Sequence, residues 1–255
     1  MDELTSYEKE ALLKQLRVKW IYNSNAIEGN TLSEGDTSFI IENGLTVQGK
    51  SLAEHNQVLG HMKALDLMYK MLEKDTIKEE DLFLLHKAIH NGRWINIDGK
   101  DEHFYYPHPD DTKYLMDLWL KEYGNISQKI NSKEEAVKIY TDMHTNFVAI
   151  HPFYDGNGRI ARLVANLTLL KNGYLPIIID TKLKDEYTQL LFSYNMSNEL
   201  NENTTTLTKE NDAYLYLFDF FEEQYGNSEE TLKTLRESTK KMEERRSKIS
   251  SRNMV

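Results

Sequence analysis

Twelve consecutive residues hold most of the side chains in this chain that could do chemistry. They read His151-Pro152-Phe153-Tyr154-Asp155-Gly156-Asn157-Gly158-Arg159-Ile160-Ala161-Arg162. Gly156 and Gly158 allow a tight turn whose N–H groups converge. A helix is predicted to start at once, so its positive end points into that turn and forms an anion nest. Arg159 and Arg162 are three apart, so both guanidinium forks are expected to face the bound anion. Asp155, beside such an anion, is suited to hold Mg²⁺ through an oxygen. His151 closes the preceding helix and reaches the same cavity, where a neutral imidazole can take a proton from an attacking hydroxyl. Singly, a Gly-x-Gly turn or a lone histidine is commonly structural. Their concentration here points to a site, and no Walker-type loop or His-Glu-x-x-His competes with it.

A second stretch is Ser24-Asn25-Ala26-Ile27-Glu28-Gly29-Asn30. Ser24 and Glu28 are i and i+4, hence on one helix face, and Gly29-Asn30 ends the turn. On spacing alone this is an ordinary surface helix end. His86 and His90 have metal-compatible spacing but no carboxylate or third ligand near them in the sequence, so surface or core roles are expected. Asn195, Asn198 and Tyr187 follow the motif and are placed within reach of a base or ribose. His103 and His108 flank an aromatic cluster, where Phe104 is assigned to the core.

The elements that must position these groups read as nearly all helix. Only 4 prolines occur in 255 residues, so long helices can run uninterrupted. Apolar spacing predicts helices over 6–22, 33–43, 52–73, 77–90, 111–123, 132–150, 160–170, 184–197 and 208–225. Ser33 has Glu34 and Asp36 in its first turn, and Ser132 with Glu135 forms a capping box. Between 91 and 109 the rhythm breaks. Trp94, Ile95, Ile97, Phe104, Tyr105 and Tyr106 flank Asp98-Gly99, which suits a short β-hairpin ended by Pro107 and Pro109.

The twelve-residue segment resembles the Fic-family signature, His-Pro-Phe-x-Asp/Glu-Gly-Asn-Gly-Arg-x-x-Arg, at every defining position. The resemblance extends over roughly residues 10–200. It implies an all-α, Fic-like helical bundle with a small β-hairpin flap. It implies transfer of AMP from ATP to a Ser, Thr or Tyr hydroxyl of a target protein, the chain itself included. His151 would be the general base, and Asp155 would hold Mg²⁺ between the α- and β-phosphates. Gly156, Asn157 and Gly158 would cradle the β-phosphate. Arg159 and Arg162 would bind the phosphate tail, with Arg162 nearest the γ-phosphate. The hairpin over 92–106 would align a target segment by strand addition. Gly158 stands where phosphotransferase members carry lysine, which favours nucleotidyl transfer. Ser24 to Gly29 resembles the family's inhibitory motif, Ser/Thr-x-x-x-Glu-Gly/Asn. Its glutamate would pair with Arg162 and take the γ-phosphate's place. Some members carrying this glutamate remove AMP from modified protein. De-AMPylation is therefore one alternative, and a regulatory or toxin-type nucleotide-binding module with weak catalysis is another.

Composition limits the rest. With 31 basic and 41 acidic residues the net charge is −10, and cysteine is absent. Thiol nucleophiles and cysteine-ligated metal scaffolds are excluded. The acidic balance argues against a dedicated nucleic-acid binder. Residues 226–255 carry eight basic against five acidic side chains, a basic appendage on an acidic body. The expected layout is an N-terminal region with the inhibitory helix (1–45), a catalytic core (46–200), and C-terminal helices with a charged tail (201–255). No signal-like or membrane-spanning run appears, so a cytoplasmic protein without membrane contact is expected. A homodimer that covers the inhibitory helix is among the expected arrangements.

Overall fold

The computed structural model describes residues 6–90, 106–126 and 130–252. Among these, nine α-helices and one 3-10 turn occur, and no strand. The helices are α1 (Ser6–Ile27), α2 (Glu34–Asn43), α3 (Leu52–Met71), α4 (Glu79–Ile89), α5 (Pro109–Ile126), α6 (Lys133–Ile150), α7 (Asn157–Lys171), α8 (Lys184–Ser197) and α9 (Asp212–Arg252). The turn Thr181–Leu183 leads into α8. The hairpin expected over 92–106 falls almost wholly on residues outside those described.

Local chemistry explains several boundaries. Ser33 caps α2: its hydroxyl accepts from the Asp36 N–H while Asp36 accepts from the Ser33 N–H, and Gly44 closes the helix at φ 66°. Ser51 and Glu54 form a second such box at α3. Ser132 caps α6 through the Glu135 N–H, but the Glu135 carboxylate reaches back to the Asn131 N–H rather than to Ser132, so only half of the expected box forms. Pro109 does not merely end the preceding segment. It is the first residue of α5, where its missing N–H costs nothing. The helix expected over 208–225 starts at Asp212 and continues unbroken to Arg252.

The pair α6 and α7 lies at the centre. In α7 every residue from Arg159 to Leu170 is buried, as a helix surrounded by others must be. Trp119, Tyr140, Phe147 and Phe221 are fully buried around this pair, each contributing roughly 2–3 kcal/mol through burial. On one side α3 crosses α4 so closely that a Cβ at Gly60 would lie 2.3 Å from the Ile89 carbonyl oxygen. That contact brings α4 against the loop between α6 and α7. On the other side α1 contacts α7, and α9 packs against α1, α6 and α8.

Candidate active site

The loop between α6 and α7 is built by its backbone. His151 caps α6 in the left-handed region (φ 53°), a conformation that non-glycine residues rarely adopt. Asn157 staples the loop: its side-chain oxygen accepts from the Phe153 N–H at 2.9 Å and its amide donates to the Phe153 carbonyl. Gly156, also left-handed (φ 85°), precedes α7, and no side chain caps the first N–H groups of that helix. The tight turn and immediate helix start expected from the sequence are therefore present in the backbone.

A carboxylate from α1's end lies against this turn. Glu28 Oε1 accepts from Arg162 Nη2 at 2.6 Å, and a Cβ at Gly158 would stand only 2.8 Å from the same oxygen. Any side chain at position 158 would collide with Glu28 as placed. Arg162 also donates from Nε to Ser24 Oγ (2.9 Å), from Nη2 to the Ser24 carbonyl (3.1 Å) and from Nη1 to the Tyr187 hydroxyl (3.3 Å). Arg162 and Ser24 are buried, whereas the Glu28 side chain is 31% exposed. The guanidinium is thus fully engaged by its own chain. Helix α1 ends at Ile27, so Glu28 acts from the turn just beyond the helix rather than from its last turn.

Asp155 is the only carboxylate inside the motif. Its Oδ1 accepts from the Gly156 N–H (2.7 Å) and its Oδ2 from Arg159 Nη2 (3.2 Å). The expected joint aim of Arg159 and Arg162 at one anion is not what the structure holds: Arg159 turns to Asp155, four residues back on the same face, while Arg162 turns to Glu28. Among the described residues no three His, Asp or Glu side chains form a ready-made metal cage. A single half-exposed carboxylate beside the expected phosphate nest fits Mg²⁺, which binds through one or two carboxylates plus substrate phosphates and water.

His151 donates or accepts little: its Nδ1 lies 3.4 Å from the Val148 carbonyl, and the Tyr106 ring stacks on it at 3.7 Å. Burial pushes its pKa down to about 4, against weaker upward pulls from Val148, Glu28 and Asp155. The imidazole is therefore neutral at neutral pH.

Sequence reasoning missed two neighbours from α4. The His86 Nε2–H donates to the Asp155 carbonyl (3.1 Å), and His90 Nδ1 lies 3.9 Å from Asp155 Oδ2. The carboxylate absent near them in sequence is supplied by a tertiary contact. Their i, i+4 spacing was the available signal. The Tyr187 hydroxyl meets Arg162 Nη1 at 3.3 Å and His144 Nε2 at 3.0 Å. Asn195 sits on α8 with its side-chain oxygen buried and without a partner, whereas the Asn198 amide is spent on the Tyr194 hydroxyl and the Leu207 carbonyl. Asn198 therefore closes α8, its amide bound within the fold. His108 is exposed beside Asp110, and His103 and Phe104 lie outside the described residues.

Residues 76–169 match the Fic/DOC family. The chain is 32% identical over 192 residues to protein adenylyltransferase fic-1 of Caenorhabditis elegans, and 34% identical over 188 residues to protein adenylyltransferase Fic of Aedes aegypti. These alignments cover 69% and 68% of this chain but 36% of each relative, so the chain spans little more than a third of their length. A Fic-domain-containing signaling protein from Bacteroides thetaiotaomicron superposes with a TM-score of 0.75 at 24% identity, covering 91% of this chain and 93% of that one. Fic-1 of C. elegans does so with a TM-score of 0.67 at 24% identity, covering 92% and 68%. The fold is thus the all-α Fic fold, and the match to the Fic/DOC family falls on residues 76–169 of it. Among the described residues no helix is long and apolar enough to cross a membrane.

Proposed function

We propose that the protein is an adenylyltransferase that moves AMP from ATP to a hydroxyl on a protein, and that Glu28 restrains it. The observation that carries this reading is the Glu28 carboxylate seated on Arg162 at the N-terminus of α7. A helix N-terminus with a buried arginine is an anion site, and its occupant here is an anion of the chain itself. The relatives' names as protein adenylyltransferases support the phosphate tail of ATP as the anion that Glu28 would exclude.

In the reaction, the target hydroxyl oxygen attacks the α-phosphorus in line with the bond to the β-phosphate oxygen. That bond breaks, pyrophosphate leaves, and the hydroxyl proton passes to neutral His151. Bound Mg²⁺ would neutralise charge developing on the phosphates, with Asp155 as its protein ligand. The nest of Gly156, Asn157 and Gly158 would cradle the β-phosphate. Arg159 would leave Asp155 and join Arg162 on the tail, and Asn195, with its unpartnered oxygen, would face the nucleoside. We assign target alignment to residues 92–106, and self-modification to the same chemistry acting on a hydroxyl of the chain.

Partial exposure of Glu28 supports a second reading, in which it orients water to remove AMP from a modified protein. The test uses Glu28→Gly and Glu28→Gly/His151→Ala with each labelled nucleoside triphosphate, Mg²⁺ and mass spectrometry of modified residues. AMP on Ser, Thr or Tyr is expected with Glu28→Gly alone. Release of AMP from a modified protein by wild type, absent in Glu28→Gly, would favour the reverse reaction. Nucleotide binding with no turnover in Glu28→Gly would make the protein a binding module.

A further inference from the structure

Three of Arg162's four hydrogen bonds end on one element. Ser24 Oγ, the Ser24 carbonyl and Glu28 all belong to α1 and the turn that follows it. The fourth comes from elsewhere: among the described residues, Nη1 bonds only to the Tyr187 hydroxyl of α8. That hydroxyl lies 3.0 Å from His144 Nε2 on α6. Donor and acceptor directions follow from the groups themselves. Arginine only donates, so the Tyr187 oxygen accepts from Nη1. Its single proton is then given to His144 Nε2, which must be unprotonated. All three side chains are buried, and burial together with the nearby Arg162 charge holds His144 neutral. Removing the Tyr187 hydroxyl would take the partner from two buried nitrogens, Arg162 Nη1 and His144 Nε2, the first on a charged group.

We propose that Tyr187, backed by His144, is the positioning residue that keeps the Arg162 fork aimed at the phosphate tail once Glu28 has been displaced. The inference rests on the proposed function only in taking ATP as the anion that replaces Glu28. While Glu28 is present, its bond and those of Ser24 hold the fork as well. When a phosphate takes the place of Glu28, Ser24 and Tyr187 are the anchors that remain, and Tyr187 is the only one outside α1 and the only one on Nη1 among the described residues. Tyr187 acts through Arg162 and touches no reacting atom.

Tyr187→Phe keeps the ring, which packs against Phe220, Phe221 and His144. Dissociation constants for ATP and AMP are measured by calorimetry on Glu28→Gly and on Glu28→Gly/Tyr187→Phe. The double variant is expected to bind ATP about tenfold more weakly, the loss of one hydrogen bond to a charged group, while AMP, lacking the β- and γ-phosphates, binds within about twofold. The KM for ATP should rise with kcat retained. Equal ATP affinity in the two proteins overturns the inference, and so does an equal loss for ATP and AMP, which marks damage to the whole pocket. His144→Leu, which removes the acceptor instead, carries the same expectation should Tyr187→Phe not fold. AMP transfer by Glu28→Gly is scored in parallel: its absence overturns the proposed function, and the ATP-to-AMP comparison still decides the role of Tyr187.

Discussion

At His151, burial and chemistry act in one direction. An exposed histidine near pKa 6.5 loses its base form as pH falls below neutrality. Burial holds His151 at about 4, so at pH 5.5 all but about 3% of it still carries a free lone pair, against about a tenth for an exposed imidazole. The acid limb of kcat/KM for Glu28→Gly, which reports the free enzyme, should therefore fall well below pH 6. A limb centred near 6.5 would mean that another group limits the rate. Removing Glu28 takes away one upward pull, so the variant's limb cannot move toward neutrality on its account. At this scale the sequence was most informative: every residue from His151 to Arg162 is part of one loop and helix start. The partners of those residues were not legible. His86 and His90 meet Asp155 from 69 and 65 positions away, and only the crossing of α3 with α4 brings them there.

That crossing is a claim about elements. Gly60 is required by contact rather than by backbone angle, since a Cβ would meet the Ile89 and Ala88 carbonyl oxygens at 2.3 and 2.8 Å. Gly60→Ala must push α3 off α4, with an expected cost of about 1–3 kcal/mol in urea unfolding, in the range of overpacked cores. Stability equal to wild type would show that the two helices slide without cost. Helices were legible where an apolar stripe coincides with a cap, as at Ser33 and Ser132. They were less legible where the boundary depends on tertiary support. Pro109 reads in sequence as a stop and serves as a start, and α7 begins at Asn157 because the preceding loop, stapled by Asn157 itself, hands its chain directly into the helix. Ser24 belongs to this scale too: Ser24→Ala removes the Nε partner of Arg162 and should weaken the hold of α1, raising AMP transfer less than Glu28→Gly does. A rate unchanged from wild type would assign the restraint to Glu28 alone.

The whole molecule is expected to be sensitive to acid. His61 and His144 are fully buried, and burial, with the charge of Arg162 nearby, depresses the pKa of each well below 6.5. His86, His90 and His151 are shifted the same way, also chiefly by burial. Below pH about 6.5 the unfolded chain takes up protons that the folded chain refuses, so stability falls with pH through this window. Asp142 and Glu122, raised by burial, act in the opposite sense and are fewer. Unfolding free energy from urea titrations should be lower at pH 5 than at pH 7, and an equal value would contradict the neutral burial of these imidazoles. Net charge, by contrast, says little about the site. A chain of −10 carries a local positive centre made of one helix end and two arginines, on which two carboxylates stand, Asp155 at Arg159 and Glu28 at Arg162.

In the proposed function the Glu28 carboxylate holds the place of a phosphate and thereby restrains AMP transfer. The most direct test is the initial rate of label transfer from α-labelled ATP to protein, wild type beside Glu28→Gly. Misplacement of a reacting group by ~1 Å costs roughly 10²-fold, so Glu28→Gly should transfer AMP faster by a factor of that order. Equal rates in the two proteins would contradict the account.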